Sequence, residues 1–332
     1  MNHTKILKRA LEITTNYRVL WVFGIILALT AGGVGGSSGG GSGGGSHGGN
    51  GGGPGVGPGW PGSLSQETIT GLIIAGVVLL IVILLLVVAS TVARYVAETS
   101  IIKMVDHYED SGEQISLREG FRLGWSRTSG RLFLLDLLVN LPVFLGVILL
   151  LAIAALPLLV WFVENDALRV IGSLASAGLM MTVILLAVLV GVVLSVLVYF
   201  FRRALVLENL GVVDALRRGW ALVRRRPGDV VIMALIIYAM GLAFTIITLP
   251  VGLLLMVAGA VIAGLPALLV GSLVALFASS VTGIIVGVVV GLPLFILVLA
   301  IPLAFIGGLW QTYLSSTWTL TYRELVALEN VE

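Results

Sequence analysis

One carboxylate, Asp136, stands inside a long apolar block, with Asn140 one helical turn further on. An acid in a membrane helix is a candidate proton or ion relay. Asp136 lies only five residues after Arg131. At that depth it can equally stay hydrated or pair with a neighbouring arginine. A second group, Asp106, His107, Glu109 and Asp110, has the oxygen ligands a hard metal ion takes, and Asp106 and Asp110 share a helical face. The basic residues around it make a solvated helix extension the plainer reading, and no metal or cofactor is expected. The most pointed cationic feature is Arg217, Arg218, Arg224, Arg225 and Arg226, followed by Pro227. Guanidiniums just before an apolar block sit where lipid phosphates are, each contributing roughly 1 kcal/mol near an anionic leaflet. The same residues could contact a cytosolic partner, or serve only as positive-inside anchors. No HExxH, GxSxG, Walker A or EF-hand pattern occurs. With three histidines and no paired carboxylates on an ordered face, an enzyme is not expected.

The elements that position these residues follow from composition. Apolar residues make up 58% of the 332 and charged residues 11%, and mean hydropathy is +1.11. A soluble chain has roughly 45–50% and 25%. Several apolar blocks exceed the roughly 20 residues a helix needs to cross a bilayer core. The net charge of +2 is too small to suggest nucleic acid as a partner, and the absence of cysteine excludes disulfides and thiolate metal sites.

Six crossings, near 17–34, 67–93, 132–162, 171–201, 230–262 and 281–313, place 18 of the 19 basic residues on one side, Arg169 being the exception. By the positive-inside rule that side is the cytoplasm, so both termini are cytoplasmic in a bacterial plasma membrane. The glycine-rich, low-complexity stretch 32–63 then falls outside as a disordered loop, a coil spanning roughly 30 Å. Its GxGxxG match at Gly39, Gly41 and Gly44 has no strand before it and carries no nucleotide-binding meaning. A cleaved signal peptide ending near this stretch is the rival reading of the first block.

The chain also repeats itself. LKRALEI at 7–13, LREGFRL at 117–123 and LRRGWAL at 216–222 share one pattern. In the third, Val212, Val213, Leu216, Trp220 and Val223 form an apolar face opposite Arg217, Arg218, Arg224 and Arg225, as in a helix lying in the headgroup plane. Ser116 and Glu119 form a capping box for the second. The second and third copies are 99 residues apart, as are VIGSLA at 170–175 and LVGSLV at 269–274. Glu98, Glu208 and Glu324 recur after the second crossing of each unit.

The expected fold is therefore an all-α integral membrane protein of six transmembrane helices in three tandem pseudo-repeats, 1–110, 111–210 and 211–332, each led by an amphipathic interfacial helix. Residues 265–280 are left as a re-entrant segment or a short outer helix. Small residues every fourth position, at Gly71 and Ala75, at Ala187, Gly191 and Ser195, and at Gly283, Gly287 and Gly291, predict close helix packing. Trp21, Trp161, Trp310 and Tyr313 fall where interfacial anchors belong.

The arrangement of an LRxGW-type helix, RRPG and a long crossing, over 116–135 and 205–235, resembles the membrane domain joined to some glycerophosphodiester phosphodiesterases and related bacterial multi-pass proteins of unknown function. The resemblance implies an architecture and no catalytic residue. The function expected is a non-enzymatic, lipid-interacting module or membrane scaffold, with anionic lipids of the cytoplasmic leaflet as partners. The alternative is a permease for a small or lipid-like substrate, which requires a polar cavity near the midplane.

Overall fold

The computed structural model describes residues 1–30, 66–163 and 165–329, with backbone alone for 66–73 and 75. The glycine-rich stretch and the far end of the first predicted crossing lie outside the described residues, as do the side chains at Gly71 and Ala75. The described residues form nine α-helices and no strand. They are α1 (His3–Asn16), α2 (Val19–Thr30), α3 (Gln66–Ser111), α4 (Leu117–Gly124), α5 (Arg127–Ala155), α6 (Asp166–Leu207), α7 (Val212–Arg225), α8 (Pro227–Phe277) and α9 (Ser280–Glu329). Five are long and apolar enough to cross a membrane, and the pair α1–α2, bent by 100°, makes a sixth if counted as one span.

Local chemistry sets the boundaries. Asn2 caps α1 by accepting from the Lys5 amide, and Asn165 caps α6 by accepting from Ala167 and Leu168. Ser116 accepts from the Glu119 amide at 3.4 Å and its hydroxyl meets the Glu119 carboxylate at 3.2 Å, which starts α4. Pro157 has no amide to donate, and after α5 the chain tightens into a 3-10 turn over Leu156–Phe162. Pro227 opens α8, where a missing amide costs nothing.

The buried core sits at the end of the bundle where the charges are. Tyr17, Phe23, Ile101, Leu132, Phe200 and Trp318 are all buried there. Away from it the helices are bare. None of the most apolar stretch of α3 is buried, and only 22% of that of α8. A helix that is apolar all round and unburied by its own chain belongs in lipid.

At the charged end α3, α6 and α9 touch one another, with α2 against α3 and α9, α5 against α6 and α3, and α8 along α9. Each short helix lies on one of the central three: α1 on α9, α4 on α3, α7 on α6. A buried small residue makes each contact. Ala10 is fully buried, a Cβ on Gly120 would stand 2.5 Å from Met104 Sδ, and one on Gly219 would stand 2.6 Å from the Phe201 ring. The next residue in each case is large, apolar and exposed: Leu11 (56%), Phe121 (47%) and Trp220 (53%).

The buried side of α7 is Ala215, Gly219 and Leu222, the small side that lets it approach α6, while Val213 and Trp220 of the predicted apolar face are exposed. Two expectations change. Residues 265–280 are not a separate helix: α8 continues to Phe277 and turns at Ala278–Ser279 into α9. The equal spacing of VIGSLA and LVGSLV is not structural equivalence, since the first opens α6 and the second lies near the end of α8, on chains running in opposite directions.

Candidate functional site

Where α3, α5 and α6 converge, four ionisable side chains are buried together. Arg202 on α6 holds Asp136 on α5 with two hydrogen bonds, Nε to Oδ1 at 3.0 Å and Nη2 to Oδ2 at 2.5 Å. Its Nη1 donates to Glu98 Oε2 on α3 at 3.0 Å. Tyr95 donates its hydroxyl to Asp136 Oδ2 at 3.0 Å. Arg203, fully buried, turns the other way and donates to the Tyr199 carbonyl at 3.0 Å and the Ser315 carbonyl at 3.1 Å, with its guanidinium over the Tyr199 ring at 5.3 Å. Two arginines and two carboxylates leave the buried group formally neutral. A lone buried charge would cost several kcal/mol, and the bidentate geometry is what offsets it.

Beside this group is a cavity of about 30 Å³, lined by Arg94, Glu98, Arg202, Gln311 and Ser315 among others. It has room for a water molecule and polar groups to hold one. Asp136 is therefore placed as half of an ion pair, with Asn140 bonded back to the Asp136 carbonyl at 2.9 Å on the same helix.

The arginines singled out on α7 divide into two sets. Arg217 and Arg224 are exposed and form no ion pair among the described residues. Arg218 bonds Glu208 at 3.1 Å and Glu329 at 2.8 Å, and Arg225 also reaches Glu329. Partial burial works against the charge on Arg218, but the bonds to Glu208 and Glu329 outweigh it and raise its pKa above the usual arginine value. Arg226 stands 4.0 Å from Asp229. The α9 terminus thus clasps α7, and Tyr322 on α9 donates to Glu208 at 2.5 Å. On α4 and the start of α5, Arg118, Arg122, Arg127 and Arg131 are exposed beside the stacked rings of Phe121 and Trp125.

The acid cluster is occupied by arginines. Arg323 binds both Asp106 and Asp110, and Arg9 binds Glu109 at 2.7 Å. Among the described residues no three His, Asp or Glu side chains are grouped as a metal site would need.

The glycine stripes differ in outcome. Cβ atoms on Gly283, Gly287 and Gly291 would stand 2.5–2.9 Å from Gly271, Ala267 or neighbouring atoms of α8, so these positions make a close helix pair within one chain. The stripe at Ala187, Gly191 and Ser195 makes no such contact. A Cβ on Gly191 would meet nothing within 4 Å. Ser195 instead bonds the Tyr238 hydroxyl of α8 at 2.7 Å.

Some residues the sequence did not single out also matter. Gly24 and Gly308 bring α2 onto α9, where a Cβ on Gly24 would fall 2.3 Å from the Gly308 carbonyl. Isolated glycines in apolar text carry no periodic signal. Arg202 and Arg203 end an apolar block and read as ordinary flanking cations; their partners are 66 and 112 residues away.

No curated protein and no solved structure matches this chain. Nothing found ties it to the membrane domains of glycerophosphodiester phosphodiesterases. A family model described as a family of unknown function, DUF7544, matches residues 7–322, and the chain belongs to that family.

Proposed function

We propose that this protein is a non-enzymatic membrane module of six crossings in three pseudo-repeats, with its charged end at the cytoplasmic face and in contact with anionic lipid. The observation that carries this reading is the threefold recurrence on α1, α4 and α7. Each lies on the second crossing of the unit before it, α1 closing the ring on α9. Each buries a small residue and presents a large apolar one outward, near exposed cations such as Lys8, Arg122 and Arg224. That pairing of outward apolar and cationic side chains fits a helix at the boundary between headgroups and acyl chains. The positive-inside rule supplies the orientation in a plasma membrane. The buried Arg202 group is a brace in this reading, fixing three crossings at the base.

The test is native mass spectrometry of protein taken from bilayers of mixed anionic and zwitterionic lipid. Replacing Arg217 and Arg224 with Gln is expected to lower retained anionic lipid about thirtyfold, at roughly 1 kcal/mol per cation, with thermal stability unchanged. Unchanged lipid retention in that variant refutes the lipid-contacting role.

A further inference from the structure

The α8–α9 hairpin is too long for one bilayer. No charged residue lies between Asp229 and Arg323. At 1.5 Å per residue the uncharged part of α8 rises about 70 Å to its tip, against about 40–45 Å for a whole bilayer with headgroups. A tilt of 40°, the upper end for membrane helices, would still leave it about 10 Å too long. Hairpin α5–α6 does not have this excess, because Asp166 and Arg169 mark its tip.

Both helices carry a proline at the same level. Phe244 stacks on Trp310, Ala267 meets Gly287, and Gly271 meets Gly283. That register puts Pro250 within two residues of facing Pro302. Pro250 is 21 residues after Asp229 and Pro302 is 21 before Arg323, so each lies about 31 Å along its helix from the charged end. That is the thickness of the hydrocarbon core. Each proline removes one rung of the helical ladder, so the pair weakens both helices where the hairpin would leave the core.

What lies beyond is apolar on every side. Leu254, Val257, Leu268, Leu276, Phe277 and Ile284 are all exposed. Three of the four hydroxyls there are paired locally: Ser272 donates to the Leu269 carbonyl at 3.1 Å, and Ser279 pairs with Thr282 at 2.9 Å. Local satisfaction of polar groups is what a water-free surrounding demands. A protein-binding surface would carry a polar rim, and none is present among these residues.

We propose that the hairpin beyond Pro250 and Pro302 is an arm that turns at that level and lies in the far leaflet, with lipid acyl chains as its ligand. The Gly283–Gly287–Gly291 stripe keeps the two helices together as a unit beyond the turn. This goes beyond the lipid role of the charged end and uses different residues, so the two can fail separately.

The chain has no cysteine, so single cysteines report on a clean background. In oriented proteoliposomes, D166C should react rapidly with a membrane-impermeant maleimide from the far side, and S279C at least tenfold more slowly. A fluorophore placed on S279C in detergent before reconstitution should be quenched by lipids bearing a doxyl group on the acyl chain. Labelling of S279C as fast as D166C would overturn the proposal, because the arm would then be in water. Protection without acyl-chain quenching would overturn it too, since a protein or a second copy would then cover the arm. Replacing both prolines with Ala should raise S279C labelling at least fivefold, and no change would overturn the hinge.

Discussion

Hairpins α5–α6 and α8–α9 each follow a short helix but are held together by different means. The first touches at its two ends. At its tip Gly172 lies against the Pro157 carbonyl and Ser176 donates to the Ala154 carbonyl at 2.9 Å; at its base Arg202 grips Asp136. Between them Gly178 and Gly191 of α6 have open space beside them. The second hairpin has no ion pair along its shaft and is closed by backbone contact at Gly271, Gly283, Gly287 and Gly291. Within lipid, apolar burial gives little drive for helix association, so either a strong polar bond or very close packing must supply it. This chain uses one device in each hairpin.

That difference can be broken at either end. The largest effect is expected at Arg202. Replacing it with Met removes the only guanidinium that bonds both Glu98 and Asp136, leaves the buried group one negative charge in excess, and should cost about 3–5 kcal/mol, read as a large fall in thermal stability in detergent. Adding D136N to R202M should recover part of the loss, since Glu98 and Arg203 then leave the group neutral. A recovery of nothing would mean that packing, not charge, holds this base.

Next in size is a bulky residue in each glycine stripe. Gly287→Leu must push α8 from α9 and should cost about 1–3 kcal/mol. Gly191→Leu, at the open position of α6, should be neutral in stability. Equal losses from both would show that α6 has a partner helix at that stripe after all. The smallest effect on stability is expected from Glu329→Gln, which frees Arg225 while Arg218 keeps Glu208, and should cost about 0–1 kcal/mol. Its sharper consequence is on lipid: the freed Arg225 guanidinium should raise retained anionic lipid several-fold, measured by native mass spectrometry as for the Arg217 and Arg224 variant.

The sequence made the crossings and the short helices legible because both depend on composition and local period. The charge-free run after Asp229 and the S-x-x-E cap at Ser116 are signals of that kind. Pairings across the bundle were not legible. Asp136 could be read as needing an arginine, but the one it takes comes from the far end of another helix. The stripes at Gly191 and Gly287 look alike in sequence, since small residues permit close approach without naming a partner. Ser315, two residues past the last predicted crossing, is buried against Arg203 rather than exposed. The arginines of α7 read as one lipid-facing run, whereas the acids that take Arg218 and Arg225 come from Glu208 and the α9 terminus.

The account stands on the sidedness of the charged end. Single cysteines at Ser111, exposed at the end of α3, and at Asp166, at the α5–α6 tip, test it directly with an impermeant maleimide on intact cells. The expected result is labelling of D166C alone, with S111C reacting only after the membrane is opened. Labelling of S111C on intact cells would place the cations outside and contradict the orientation on which the lipid role depends.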